Sequence, residues 1–219
     1  MLAFLFILSL SMGGHHSKTY HENGAIKTYK GITYDSSGVR KDSVFQQIAD
    51  GGKLPGNEDS LPEERRLLFE DRRCVAFVPL NAGSNDHILI VPREPGSRFV
   101  GSVADLTAND IELLEHMEKV GITVIEQRRI DGTVSDEDDK PPHGLFHRPP
   151  FNSIDHLHLH FFGSSQRRRF IDKIKYPHSF DTPWCISLDT AFSRLGRRRS
   201  TNEAESQDYI LSTEENGDV

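Results

Sequence analysis

The spacing of apolar positions changes several times along the chain, and each change marks an element. Residues 13–41 mix Gly, Ser, His, Lys and Tyr with no sustained apolar period and read as a linker or arm. Structure is expected to begin near Asp42. There Val44, Phe45 and Ile48 fall at helical spacing behind a capping Asp42, and Gly51-Gly52 stops the helix. Residues 67–69, 74–78 and 87–91 are brief β-prone runs separated by charged and turn-rich segments, which predicts antiparallel neighbours. Thr107 with Asp110 forms a capping box. Ile111, Leu114, Met117, Gly121 and Val124 follow at helical spacing, predicting the longest helix, to about Arg128. The acid-rich stretch 131–142 reads as an exposed loop, residues 144–146 and 157–162 as two more strands, and 187–195 as a small helix with Leu188, Ala191, Phe192 and Leu195 on one face.

The strand predicted at 157–162 is preceded by His156, and the run Asp155-His-Leu-His-Leu-His-Phe-Phe-Gly carries the chemistry. On an extended chain, period two sends His156, His158 and His160 to one face and Leu157, Leu159 and Phe161 to the other. One imidazole on the polar face of a strand is ordinary; three in strict alternation are not. Metal binding is a second reading, since His-x-His on a strand is half of a zinc site. At a rise of about 3.3 Å per residue the backbones of His156 and His160 stand roughly 13 Å apart, so at most two of the three converge on one ion. A third ligand would come from His87, His143 or His147.

Charge narrows the field further. Of the net −7, the last twenty residues contribute six negative charges, leaving a nearly neutral body and an acidic tail that reads as disordered. A balanced body lacks the basic footprint of a long-polynucleotide binder. Arg167-Arg-Arg and Arg197-Arg-Arg read as solvated basic turns. Two cysteines, Cys74 and Cys185, exclude a disulfide scaffold and a four-thiolate zinc module. Together with eight asparagines in no glycosylation sequon, they favour a reducing compartment, cytoplasmic or nuclear. Residues 2–10 form an apolar run too short to span a bilayer and lacking a basic flank. The alternatives there are a signal peptide over residues 1–14, or an internal start at Met12 that exposes Gly13 to myristoylation.

His156-Leu-His-Leu-His-Phe-Phe resembles the motif of the histidine triad superfamily, nucleotide-binding hydrolases and transferases that act at an α-phosphate. The resemblance covers about residues 42–165. It includes Asp42-Ser-Val-Phe-Gln-Gln-Ile, Phe69-Glu-Asp-Arg-Arg-Cys-Val-Ala-Phe and His87-Ile-Leu-Ile-Val-Pro-Arg, in the family's order. His147-Arg-Pro-Pro-Phe-Asn-Ser-Ile-Asp before the triad, with Trp184 after it, looks most like the Hint branch of the superfamily. The resemblance implies an α+β domain over residues 42–196, flanked by an arm (1–41) and a tail (197–219), with an antiparallel sheet of about five strands and two main helices. It implies His158 as nucleophile, His156, His160 and His87 as charge-stabilising or proton-relaying groups, and Ser153 near the leaving group. Asn152 and His147 would approach the phosphate, and Phe45 and Phe77 would line the base pocket. For each of these a bland alternative stands: a turn serine, polar loop residues, core phenylalanines.

The implied reaction is hydrolysis of purine nucleoside 5′-monophosphoramidates through a nucleotidyl-histidine. It needs no metal and no organic cofactor, and a homodimer or larger homo-oligomer carries it. Dinucleoside polyphosphate hydrolysis, removal of AMP from nucleic-acid ends, and a nucleotide- or protein-binding module with little turnover are the rivals. One position departs from the family pattern: Pro79 stands where many relatives carry an Asp that accepts from both ribose hydroxyls, and Glu70 or Asp71 would substitute only if the fold brought them near.

Overall fold

The computed structural model describes residues 27–29, 32–34, 40–54, 56, 62–93, 100–134, 141–163, 170–177 and 181–196 of the chain. The apolar run at residues 2–10, Gly13, both arginine clusters, residues 135–140 of the acidic loop and the acidic tail lie outside them.

Ordered backbone begins before Asp42. Strands β1 (Lys27–Tyr29), β2 (Ile32–Tyr34) and β3 (Arg40–Ser43) pair antiparallel into a small sheet, so part of the expected arm is β-structure. Because Asp42 belongs to β3 and pairs with Thr33, the capping role passes to Ser43. Its hydroxyl accepts from Gln46 N at 2.9 Å and opens α1 (Val44–Ala49), whose Phe45, Ile48 and Ala49 are buried.

The main sheet is antiparallel and six-stranded. A single turn, α2 (Glu63–Arg66), leads into β4 (Leu67–Glu70), followed by β5 (Cys74–Phe77), β6 (His87–Pro92), β7 (His143–His147), β8 (Leu159–Phe162) and β9 (Cys185–Ser187). Their spatial order is β4-β5-β6-β8-β7-β9. The α+β class and the antiparallel sheet match expectation, and β9 adds a sixth strand at the edge beside β7.

Period two divides the sheet into two faces. Cys74 and Ala76 of β5, Ile88 and Ile90 of β6, and Leu159 and Phe161 of β8 point to one side, under the long helix α3 (Ile111–Ile130). Leu114, Met117, Val120 and Val124 of α3 close that core, and Gly121 admits the Phe161 ring where a Cβ would stand 2.7 Å from it. The capping box of Thr107 and Asp110 forms as expected, one short 3-10 turn ahead of α3. The short helix α5 (Leu188–Arg194) covers the same face near β7; α4 (Phe170–Lys175) precedes it in the chain. The other side carries Val75, Phe77, Leu89 and Val91 against α1, and the same alternation places His87 and His160 there.

Candidate active site

Only His160 of the triad lies within a regular strand. His156 sits in a bend and His158 in the irregular segment ahead of β8. The shortening has a local cause: Leu157 N–H donates to Val100 O at 2.8 Å, so pairing with β6 stops at Leu159 opposite Ile90. All three imidazoles are nevertheless buried on one side of the chain, at 1–6% exposure.

Each ring is held through a different atom. His158 Nδ1–H donates to the carbonyl of His156 at 2.7 Å, which leaves the Nε2 lone pair of a neutral ring available. Burial, with the Lys175 charge adding to it, pulls its pKa down to about 4 despite that hydrogen bond. His156 Nδ1 is bound to the Ser43 hydroxyl at 2.7 Å. For His160 the tautomer follows from a relay. Gly83 N–H donates to His87 Nδ1 at 2.9 Å, so His87 carries its proton on Nε2 and donates it to His160 Nδ1, also at 2.9 Å. His160 Nε2 must then bear a hydrogen. That atom is buried, with no hydrogen-bond partner among the described residues. Burial first, then His147, His158, His87 and Lys175, hold the His160 ring well below its ordinary pKa.

The remaining expected residues divide. His147 lies on β7 with its ring 4.6 Å from that of His160, and its Nε2–H donates to Lys175 O at 3.2 Å. Burial, then the Lys175 charge and His158, pull its pKa down to about 3. Phe45 is 5.0 Å from the His158 ring and 6.1 Å from that of Phe77, so Phe45 stands beside the triad while Phe77 meets Phe45 within the α1 core. Asn152 lines a tight cleft with His147, His156 and His158, and its amide donates to Ile154 O and Asp155 Oδ1. Ser153 is exposed in the neighbouring bend, with no hydrogen bond to a described residue. Neither ribose substitute is free for that role: Glu70 pairs with Arg93 at 2.8 Å, and Asp71 bonds His116 at 2.7 Å. A cavity of about 180 Å³ lies apart from the triad, between Pro142, His143, Cys185 and Asp189.

A ring nitrogen from each of His147, His158 and His160 falls within 4.8 Å of the others. The third-ligand question is thereby answered in geometry, but not in chemistry. A metal needs three lone pairs, and the Gly83–His87–His160 relay presents an N–H at the third position. The set suits an oxyanion beside a nucleophile better than a cation.

Sequence reasoning missed four contributors. Ser43 was hidden behind the expected cap at Asp42. Gly83 acts through its backbone. Tyr176 packs its ring 5.0 Å from both His87 and His160 and 5.3 Å from His147. Lys175 brings its charge and its carbonyl to the same place. No spacing rule links the last two to the triad, because both follow a segment of undefined period.

Comparison with known proteins identifies the family of the chain. A family model described as scavenger mRNA decapping enzyme C-term binding matches residues 57–175, more than half of the chain. The adenosine 5′-monophosphoramidase HINT3 of Mus musculus is 28% identical over 174 residues, 80% of this chain and 90% of that protein. HINT3 of Xenopus tropicalis is 30% identical over 129 residues, 59% of this chain and 76% of that one. Among solved structures, a histidine triad protein from Clostridium difficile is 21% identical, covering 58% of this chain and 94% of that one, with a TM-score of 0.41. The chain therefore belongs to the histidine triad superfamily.

Proposed function

We propose that the protein hydrolyses purine nucleoside 5′-monophosphoramidates, releasing a nucleoside monophosphate and an amine. The observation that carries this reading is the tautomer of His158: with Nδ1–H tied to the His156 carbonyl, Nε2 presents a lone pair beside a buried N–H donor on His160. In the first step Nε2 bonds to the α-phosphorus and the P–N bond breaks, the departing amine taking a proton relayed through His156 or the exposed Ser153 hydroxyl. In the second, water bonds to phosphorus and gives its proton back to the group that lent one to the amine, the bond to Nε2 breaks, and His158 is regenerated. His160 Nε2–H, held by His87, donates to a non-bridging oxygen throughout, where charge builds. The names of the HINT3 relatives support the phosphoramidate substrate.

Phe45 and Phe77 take the base and Asn152 and His147 border the phosphate in this reading, and the working form is a homodimer or larger homo-oligomer in the cytoplasm or nucleus. No described helix is long and apolar enough to cross a membrane. Pro79 favours one rival, a nucleotide-binding module with little turnover, since Glu70 and Asp71 are engaged elsewhere. A fluorogenic adenosine phosphoramidate decides between them: turnover above background that disappears in His158→Asn supports hydrolysis, and nucleotide binding without turnover supports the module.

A further inference from the structure

On the helix-covered face of the sheet, opposite the triad, three side chains of different donor chemistry meet. Asp71 sits in the turn between β4 and β5. Its Oδ1 accepts from the N–H groups of Arg73 at 2.7 Å and Cys74 at 2.8 Å, which fixes the carboxylate and turns Oδ2 toward α3. There it meets His116 Nε2 at 2.7 Å. Cys74, the first residue of β5, is fully buried and faces the same side, with no sulfur hydrogen bond to a described residue. One ligand atom from each of the three lies within 4.8 Å of the other two.

We propose that Asp71, Cys74 and His116 form a binding site for a divalent transition metal of the zinc class, independent of the phosphoramidase reading. Carboxylate oxygen, thiolate sulfur and imidazole nitrogen are together a borderline-soft set, which selects zinc or cobalt over magnesium or calcium. Two ligands come from one tight turn, Asp71-Arg-Arg-Cys74, and the third from the helix packed over it. That division between a turn and a helix is common to structural zinc sites. The His116 and Asp71 side chains are 22% and 30% exposed, so the fourth position opens to water.

The balance of the step is simple. Asp71 is already ionised: burial opposes this, but the Cys74 and Arg73 N–H groups and His116 outweigh it and hold the carboxyl below its ordinary value. His116, whose Nε2–H donates to the Asp71 carboxylate and whose Nδ1 has no hydrogen-bond partner among the described residues, shifts that proton to Nδ1 and so supplies an Nε2 lone pair in place of the hydrogen bond. Cys74 binds as the thiolate, so its thiol proton leaves to solvent as the metal enters. One metal ion enters, one proton leaves, and the site ends neutral. Binding therefore tightens as pH rises, and the ion ties the β4–β5 turn to α3.

The test uses the full-length protein titrated with Co²⁺ and then Zn²⁺. Wild type should bind one equivalent of Co²⁺ with a thiolate-to-metal charge-transfer band in the near ultraviolet, which Zn²⁺ abolishes. Cys74→Ala should lose the band, and His116→Gln should bind at least about tenfold more weakly. His158→Asn should keep both band and affinity, which separates this site from the triad, and Cys74→Ala should keep phosphoramidate turnover. Circular dichroism checks that each variant folds; if Cys74→Ala does not, Cys74→Ser and His116→Gln carry the reading. No charge-transfer band in wild type, the same band without Cys74, or a band lost only with His158 overturns the proposal.

Discussion

His87 donates its Nε2–H to His160 Nδ1 across 2.9 Å, although 73 residues separate them in the chain. Because Gly83 N–H occupies the other nitrogen of His87, the relay has one direction, and it ends in a donor on His160 aimed at the phosphate site of the proposed reaction. His87→Leu removes the constraint while still filling the buried position with a side chain of similar size. Turnover should fall about 10- to 100-fold with KM little changed, less than the about 100- to 1,000-fold for a transition-state donor removed outright, because the donor remains and only its tautomer is freed. Nitrogen-15 spectra should show His160 as a single Nε2–H tautomer in wild type and a mixture in the variant. A mere packing role for His87 would leave the tautomer unmoved.

His158→Asn removes the nucleophile and keeps the cleft. Turnover should drop by at least about three decades while AMP still binds. During turnover the wild-type peptide containing His158 should gain the mass of one nucleotidyl group; a modified Ser153, or undiminished turnover in the variant, contradicts the mechanism.

Chelation should leave phosphoramidate turnover unchanged. The nucleophile is a side-chain nitrogen, and the third histidine of the possible ligand set presents a hydrogen rather than a lone pair. Loss of activity with EDTA and recovery with zinc would return the metal reading to the triad.

Stability should weaken on the acid side of neutrality. An unfolded imidazole takes up a proton near pH 6.5, whereas folded His158 waits until about 4 and folded His147 until about 3. Between those values the unfolded chain binds more protons. Folding free energy should therefore fall as pH drops below 6.5, by about 1.4 kcal/mol per pH unit for each such histidine, and the term should be flat above it. His160 shifts in the same direction. Urea unfolding at pH 7 and pH 5 measures the effect, and equal stabilities would show that these rings are charged or solvated when folded.

Pro79→Asp tests how ribose is held. With Glu70 and Asp71 committed to Arg93 and His116, an added carboxylate should lower KM for an adenosine substrate, by one to two decades if it makes the full charge-assisted contact worth about 1.5–3 kcal/mol. Maximal turnover should stay nearly constant, because ribose contacts act on ground and transition states alike. Constancy of both parameters would mean that another group already serves.

Local rules acting within a few residues made much of this protein legible. The capping box at Thr107 and Asp110, the helical period of α3 and the alternation of His160 with Leu159 and Phe161 are set by bonds and pleats near in sequence, so the chain alone determined them. Alternation also put the three histidines on one face, and the structure buries them there, even though regular pairing starts only at Leu159. What makes that face chemical came from contacts that no period encodes. Ser43 meets His156 across 113 residues, His87 meets His160 across 73, and Tyr176 closes over both rings from a segment past the last predicted strand of the motif. The same holds at the edge of the sheet, where β9 joins β7 and where Asp71 turned to α3 rather than to a ribose. Hydrophobic pattern determines which side of an element is buried. Which proton sits on which ring nitrogen is decided only when the packed sheet brings donors and acceptors from distant strands to within hydrogen-bonding distance, and in this site that choice separates a nucleophile from its oxyanion donor.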